Sequence, residues 1–373
     1  MHDNNKEIKS KKKIISAGHI CLDITPIFPL DKKVNKLGDI LEPGKLINVD
    51  EANVNTGGSV ANTGLALKIL GENVELMGKV GDDAFGKMIA EILKKYGVGG
   101  LIVDENDSSS YSVVLAVPGI DRIFLHNPGA NNTFTNADIP EENLEDAALF
   151  HFGYPPIMRS MYINGGEELV TIFKRMKDKG IATSLDLAAI DPDSEAGKID
   201  WQSILKKVLP YVDFFVPSFE ELCFILNREN YNRLEEIGGD MAENLSIEDD
   251  VKPLADKLID LGCKVVIIKC GIQGIYYKTG DLEAISSIGE RIELSINDWA
   301  NREGMQPCIK AEKVLSATGA GDTSIAAFLA SVLAGKTPEM CVKLAAAEGA
   351  CAVTTYDALS GLKSIEELEK SFN

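Results

Sequence analysis

Short apolar runs recur along this chain, separated by stretches in which apolar residues return every three or four positions. The runs at 14–18, 148–152, 182–186, 214–216 and 265–269 read as strands, with a further strand at 75–80. Helical periodicity covers 59–70, 84–96, 167–179, 219–226, 251–261, 323–334 and 338–351. In the second of these, Met88, Ile89, Ile92, Leu93 and Tyr96 share one face and Gly97 marks the stop. Strands that stay apolar without alternation must be covered on both sides, and strands alternating with helices pair in parallel. The pattern predicts an α/β fold: a doubly wound, mostly parallel central sheet with helices on both faces.

Two regions break this rhythm. Residues 20–54 carry short strands and turns, punctuated by Pro26, Pro29, Pro43 and Gly44, with no helical period. Residues 101–126 return to β patterns, at 111–117 and 122–126 around a Pro118-Gly119 turn. Together they predict a small separate sheet, a lid on a single domain spanning 13–373. Residues 1–12 are polar and lysine-rich and read as a disordered tail. The acidic 230–250 stretch and the irregular 283–310 stretch read as surface insertions.

A chain of 373 residues, 45% hydrophobic and 25% charged, can bury a large core. Its net charge of −19 argues against nucleic acid or an anionic membrane as the main partner. A small anion can still be held by backbone amides and one lysine. The seven cysteines are scattered and never in C-x-x-C spacing, which fits free thiols in a reducing cytoplasm. No apolar segment is long enough to span a bilayer, and the N-terminus lacks the apolar core of a signal peptide. A cytosolic protein is expected.

The chemistry concentrates late in the chain, at Ser316-Ala317-Thr318-Gly319-Ala320-Gly321-Asp322-Thr323, between a strand-like Lys313-Val314-Leu315 and a small-residue helix. The amides of Ala320, Gly321 and Asp322 would be the open donors of a helix N-terminus. A carboxylate among anion-binding amides repels a merely bound phosphate. It makes sense if Asp322 takes a proton from an attacking hydroxyl while the amides stabilise a transferring phosphoryl group. As an isolated motif, a plain Asp cap after a glycine turn would be the better reading, so other features must decide.

Gly57-Gly58 opens a second helix that carries Asn62, a donor and an acceptor. Asp23 follows the first strand, at the sheet end where ligands of open α/β sheets bind. Ser218 and Glu221 form a capping box after Pro217, and Glu221 would also face the crevice, placed to hold magnesium through water. The turn from Lys269 through Cys270 and Gly271 to Gly274 lets backbone approach a nucleotide. By contrast, the stretch from Gly81 to Met88 only mimics a P-loop. Met88 stands where a magnesium-binding hydroxyl is needed, so an aspartate-capped turn is expected there.

Taken in order, these features resemble the ribokinase-like (PfkB-type) carbohydrate kinase family. The resemblance runs from Asp23 through Gly57-Gly58 and Asn62, the Gly81–Gly86 turn, Pro128-Gly129-Ala130-Asn131, Pro217 to Glu221 and Gly271-x-x-Gly274 to Thr318–Asp322. It implies transfer of the γ-phosphoryl group of Mg-ATP to a hydroxyl, primary by expectation, of a small carbohydrate. Asp322 would be the base, with Gly319, Ala320 and Gly321 in the anion hole. Asp23, Gly57, Gly58 and Asn62 would grip the sugar. Lys269, Cys270, Gly271, Gly274 and Thr318 would lie by ATP, and Glu221 would organise Mg2+. A homodimer through the lid is implied as well.

Arg122 and Tyr154 complete the candidate substrate contacts. Arg122 and His126 are the cationic candidates for a sugar acid or phosphate, and Tyr154 sits near where ribokinases place a substrate-binding acid. Ser316-Ala317 departs from the family's Asp-Thr, which predicts a weak or absent potassium site. Ser218 replaces an Asn, and Ser59-Val60 replaces smaller residues, so the sugar subsite should differ from that of ribokinase. Two alternatives remain. A nucleoside kinase would need an apolar slot from Phe28, Tyr111 or Phe124; a non-catalytic regulator would have no use for an intact Asp322.

Overall fold

The computed structural model describes residues 11–29, 36–118, 122–355, 357 and 359–370. Most of the predicted tail (1–10) and Gly119 of the predicted turn lie outside them. The central sheet has eight strands. Lys13–Gly18 sits between Asn73–Met77 and Ala147–Gly153, followed outward by Ala182–Leu185, Phe214–Phe215, Val265–Lys269, Gly274–Thr279 and Glu303–Pro307. The first six of these are parallel; the last two join antiparallel.

Alternation within each apolar run explains the two faces. Ile14, Phe214 and Val265 enter one core with Leu65, Phe328 and Val342, whereas their neighbours Ile15, Phe215 and Val266 enter another with Phe173, Leu205 and Leu254. Helices Ser59–Ile69, Ala320–Leu333 and Pro338–Ala352 cover the first face. Helices Glu167–Asp178, Trp201–Val208, Phe219–Leu226 and Lys252–Asp260 cover the second.

A separate four-stranded sheet matches the predicted interruption, in the order Asn53–Gly57, Cys21–Thr25, Tyr111–Leu115, Ile123–Asn127. Two of its pairings are antiparallel, and Cys21–Thr25 runs parallel to Tyr111–Leu115. The crossing from the central sheet is fixed at Ile20, whose amide and carbonyl both bond the side chain of Asn131, at 3.1 and 2.9 Å. Gly18 enables that crossing, because a Cβ there would lie 2.3 Å from the Gly153 carbonyl oxygen.

Several expectations need correction. The predicted 75–80 strand breaks at Gly78, and its second half, Lys79–Gly81, pairs with Ile102–Asp104 away from the four-stranded sheet. The 283–310 stretch is no simple insertion. Glu303–Pro307 closes the central sheet, and Trp299 is buried against Phe214 and Phe328. The 230–250 stretch likewise turns inward, burying Leu234, Met241, Ala242 and Leu245. Lys313-Val314-Leu315 forms no strand; Val314 is exposed, and the Leu315 amide bonds the Val353 carbonyl instead. No helix among the described residues is long and apolar enough to cross a membrane.

Candidate active site

A cavity of about 1050 Å³ opens between the strand ends of the central sheet and the four-stranded sheet. Its wall brings together Asp23, Gly58, Asn62, Arg122, Tyr154, Glu221, Lys269, Cys270, Gly271, Thr318, Gly319, Gly321 and Asp322, residues drawn from nearly the whole chain. Three of the predicted residues stand behind it. A Cβ on Gly57 would lie 2.1 Å from Asp23 Oδ2, and one on Gly274 would lie 2.0 Å from the Gln306 carbonyl oxygen. Ala320 begins the helix, but its amide turns back to the Ala317 carbonyl at 3.3 Å. Among the described residues that leaves Gly321 and Asp322 as the open amides of the helix end. The expected trio is a pair, because the tight turn at Gly319 (φ 72°) consumes the first donor.

Asp322 lies in the first turn of Ala320–Leu333 and is 4% exposed. Its Oδ2 accepts from Asn62 Nδ2 at 2.9 Å, and Thr63 Oγ1 reaches Oδ1 at 3.4 Å. The Tyr154 hydroxyl donates to both oxygens, at 2.9 and 2.8 Å. Burial raises the Asp322 carboxyl above its ordinary range, although these donors and the charge of Lys269 pull the other way. The Asn62 side chain arrives because Ser59–Ile69 packs along Ala320–Leu333. Gly64 lets the same helix lie close on the central sheet, since a Cβ there would meet Leu76 Cδ2 at 2.2 Å.

Lys269 does not reach freely into the cavity. Its Nζ lies 2.8 Å from Asp186 Oδ1, and both groups are largely buried. Burial pushes the Asp186 carboxyl up; Lys269 opposes this, and nearby Glu221 and Asp322 add to it. Lys269 nonetheless stays a cation, since those same carboxylates outweigh its loss of water. A Cβ on Gly321 would sit 3.8 Å from Lys269 Nζ, so this charge borders the glycine turn and its open amides. Glu221 completes its capping box: its Oε2 accepts from the Ser218 amide at 2.8 Å, while its own amide donates to Ser218 Oγ at 3.3 Å. Gln273 Nε2 donates to the carbonyls of Ala242 and Leu245, which pins the 240s segment beside the Gly271 turn.

On the other side, Asp23 belongs to the four-stranded sheet and not to the end of the first strand. Cys21 Sγ donates to its Oδ1 at 3.3 Å, and burial raises its carboxyl. His126 Nδ1 contacts Ser112 Oγ at 3.0 Å, and the His19 and His126 rings lie 5.1 Å apart. Burial depresses both imidazoles, and their closeness further disfavours protonating His19 while His126 is charged, so both are neutral near pH 7. Asp186 and His19 were not nominated from the sequence, and His126, expected as a cation, is instead a neutral imidazole. Asp186 directly follows an apolar strand, the position that drew attention to Asp23, and that was the available signal.

Residues 13–365 match the pfkB family of carbohydrate kinases. Fructokinase-1 of Oryza sativa subsp. japonica is 27% identical over 332 residues, covering 84% of this chain and 87% of the relative. Ribokinase of Schizosaccharomyces pombe is 27% identical over 335 residues, with 87% and 88% covered. The solved structure of Arabidopsis thaliana ribokinase, complexed with ribose and ATP, superposes with a TM-score of 0.69 at 20% identity, covering 96% of this chain and 98% of that one. With the family matched along nearly its whole length and the fold shared, this chain belongs to the pfkB family of carbohydrate kinases.

Proposed function

We propose that this sugar kinase transfers the γ-phosphoryl group of ATP to a hydroxyl of a neutral small carbohydrate, with Asp322 as general base. The observation that carries the reading is Asp322 itself: a buried carboxylate beside the open amides of Gly321 and Asp322, at the floor of a cavity walled by both sheets. Asp322 accepts the proton of the attacking hydroxyl, and its raised carboxyl makes it a stronger base than a solvated aspartate. The two amides and Lys269 stabilise the charge on the transferring group. Asp23, Asn62 and the Gly58 backbone orient the acceptor, and Thr318, Cys270 and Gly271 border the ATP side.

Carboxylates outnumber basic side chains along the wall, and both histidines are neutral, which supports an uncharged acceptor over a sugar acid or phosphate. The same acidity suits a divalent cation. Among the described residues no three ligand side chains cluster as a metal cage. That fits Mg2+, which keeps several waters and takes one or two carboxylates besides phosphate oxygens. Glu221 is the residue to hold it, and it supplies charge neutralisation there.

The four-stranded sheet acts as a lid that excludes water before transfer. Its edge strand Ile123–Asn127 exposes Phe124 and Leu125, and an uncovered apolar edge supports pairing with a second copy. An ATP-consumption screen over pentoses, hexoses, sugar acids, sugar phosphates and nucleosides tests the reading. A neutral sugar should turn over fastest; preference for a phosphorylated acceptor or a nucleoside would overturn the substrate class. Hydrogen exchange should protect 20–54 and 101–126 when that sugar binds, and a monomer at micromolar concentration would overturn the dimer alone.

A further inference from the structure

The Tyr154 hydroxyl is spent on the group assigned above as the base. A carboxylate offers about four lone-pair sites. Three protons serve them: one from Asn62 on Oδ2, one from Thr63 on Oδ1, and the single Tyr154 proton shared between both oxygens. An acceptor hydroxyl therefore competes with these donors for Asp322. Thr63 is buried behind the wall, and Asn62 sits on a packed helix. Tyr154 and Asn62 both line the cavity, but only the Tyr154 hydroxyl lies across both oxygens, so its departure uncovers both at once.

The backbone gives a second, independent sign. Tyr154 has φ 68° and ψ 38°, a left-handed conformation that bulky side chains rarely adopt and that persists when the surroundings over-determine it. It stands between Gly153, the last residue of a central strand, and Pro155-Pro156, and its ring lies 6.2 Å from that of His19. Burial among Asp322, Asp186 and Glu221 raises the phenol, so it remains a donor. Lys269 is the cation facing the same carboxylate.

We propose that Tyr154 is a positioning residue that caps the base, occupying on Asp322 the place of the acceptor hydroxyl until the acceptor displaces it. The proposal rests on Asp322 being the base. In the capped state water competes poorly for Asp322, so hydrolysis of ATP in the absence of sugar is slowed.

The test is hydrolysis of Mg-ATP without any acceptor, followed across the acid range in wild type, Tyr154→Phe and the Tyr154→Phe/Asp322→Asn double variant. Phenylalanine keeps the ring and removes the cap. Hydrolysis should rise ~10-fold, the scale of one hydrogen bond to a charged group. Its acid limb should move to higher pH, because Asp322 loses a donor that favours its ionised form. The double variant should lose the gain. A Tyr154→Phe rate and acid limb equal to wild type, with or without a lower Tm, overturn the cap and leave the base assignment standing. A gain that survives Asp322→Asn overturns the base, and the cap with it.

Discussion

Two aspartates stand at the starts of helices after glycine turns, and their surroundings set them apart. Asp83 caps Ala84–Lys95: it accepts from the amides of Gly86 and Ser109, each at 2.8 Å, and from Ser109 Oγ at 2.7 Å. Slight burial raises its carboxyl, but these donors outweigh that and hold it below the ordinary range. Asp322 sits one turn deeper and is buried; it takes its bonds from side chains of distant segments, and its carboxyl is raised. One aspartate is consumed by its own helix. The other leaves two helix amides open beside it. The lesson is that a glycine-aspartate turn signals chemistry only where the carboxylate does not satisfy the local backbone.

The largest expected effect is on Asp322. Asp322→Asn should lower turnover by ~10²–10⁴-fold with ATP affinity little changed, measured by steady-state kinetics. Near-normal turnover would erase the difference between the two turns.

The glycines beside each aspartate sharpen the contrast. At Gly321 an added Cβ meets only Lys269, at 3.8 Å, so Gly321→Ala should leave Tm unchanged and cut turnover ~10-fold by crowding the open amides. At Gly86 it would stand 2.3 Å from the Gly81 carbonyl oxygen, so Gly86→Ala should cost ~1–3 kcal/mol of stability and spare the kinetics of the folded fraction. Asp83→Ala should cost ~0.5–2 kcal/mol, read by urea unfolding, again without loss of turnover.

Acid should separate the pair further. The Asp83 carboxyl is depressed on folding, so its stabilisation is complete above the unfolded value and is lost as pH falls through the folded one. With Asp322 as the proposed base, turnover should need its ionised form; its carboxyl is raised, so activity should fail on acidification before the Asp83 contribution to stability does. Parallel pH profiles of turnover and unfolding would show it. The smallest effect is expected from replacing potassium by tetramethylammonium. Ser316 Oγ donates to Thr318 Oγ1 at 3.0 Å and accepts from the Thr318 amide at 3.1 Å, so it serves the turn itself. A large, saturable potassium stimulation would contradict that.

The central strands were legible because burial on two faces leaves no polar alternation to obscure them. Glu303–Pro307 was not, since a glycine, a proline and two polar residues can close a sheet at its edge, where half the backbone groups need no partner. Lys313-Val314-Leu315 misled for the opposite reason: two apolar residues after a lysine do not make a strand without a neighbour to pair with. In the site, Asp322 was found through its glycines and Asn62 through its turn. Asp186 carried only its place at a strand end; its partner Lys269 lies 83 positions away, and that pairing exists only in the folded sheet.

The bond from Asn62 to Asp322 joins positions 260 apart. During synthesis at ~5–20 residues per second, the helix Ser59–Ile69 leaves the ribosome on the order of tens of seconds before the helix that covers it. Eight of its eleven residues are buried in the finished fold, and for that interval the side that faces Ala320–Leu333 has no cover. The first strand waits likewise, because its neighbour Ala147–Gly153 follows more than a hundred residues later. A chain truncated before residue 320 would keep that surface permanently uncovered, and its expected fate is capture by chaperones or aggregation, whatever the rest of the sheet has achieved.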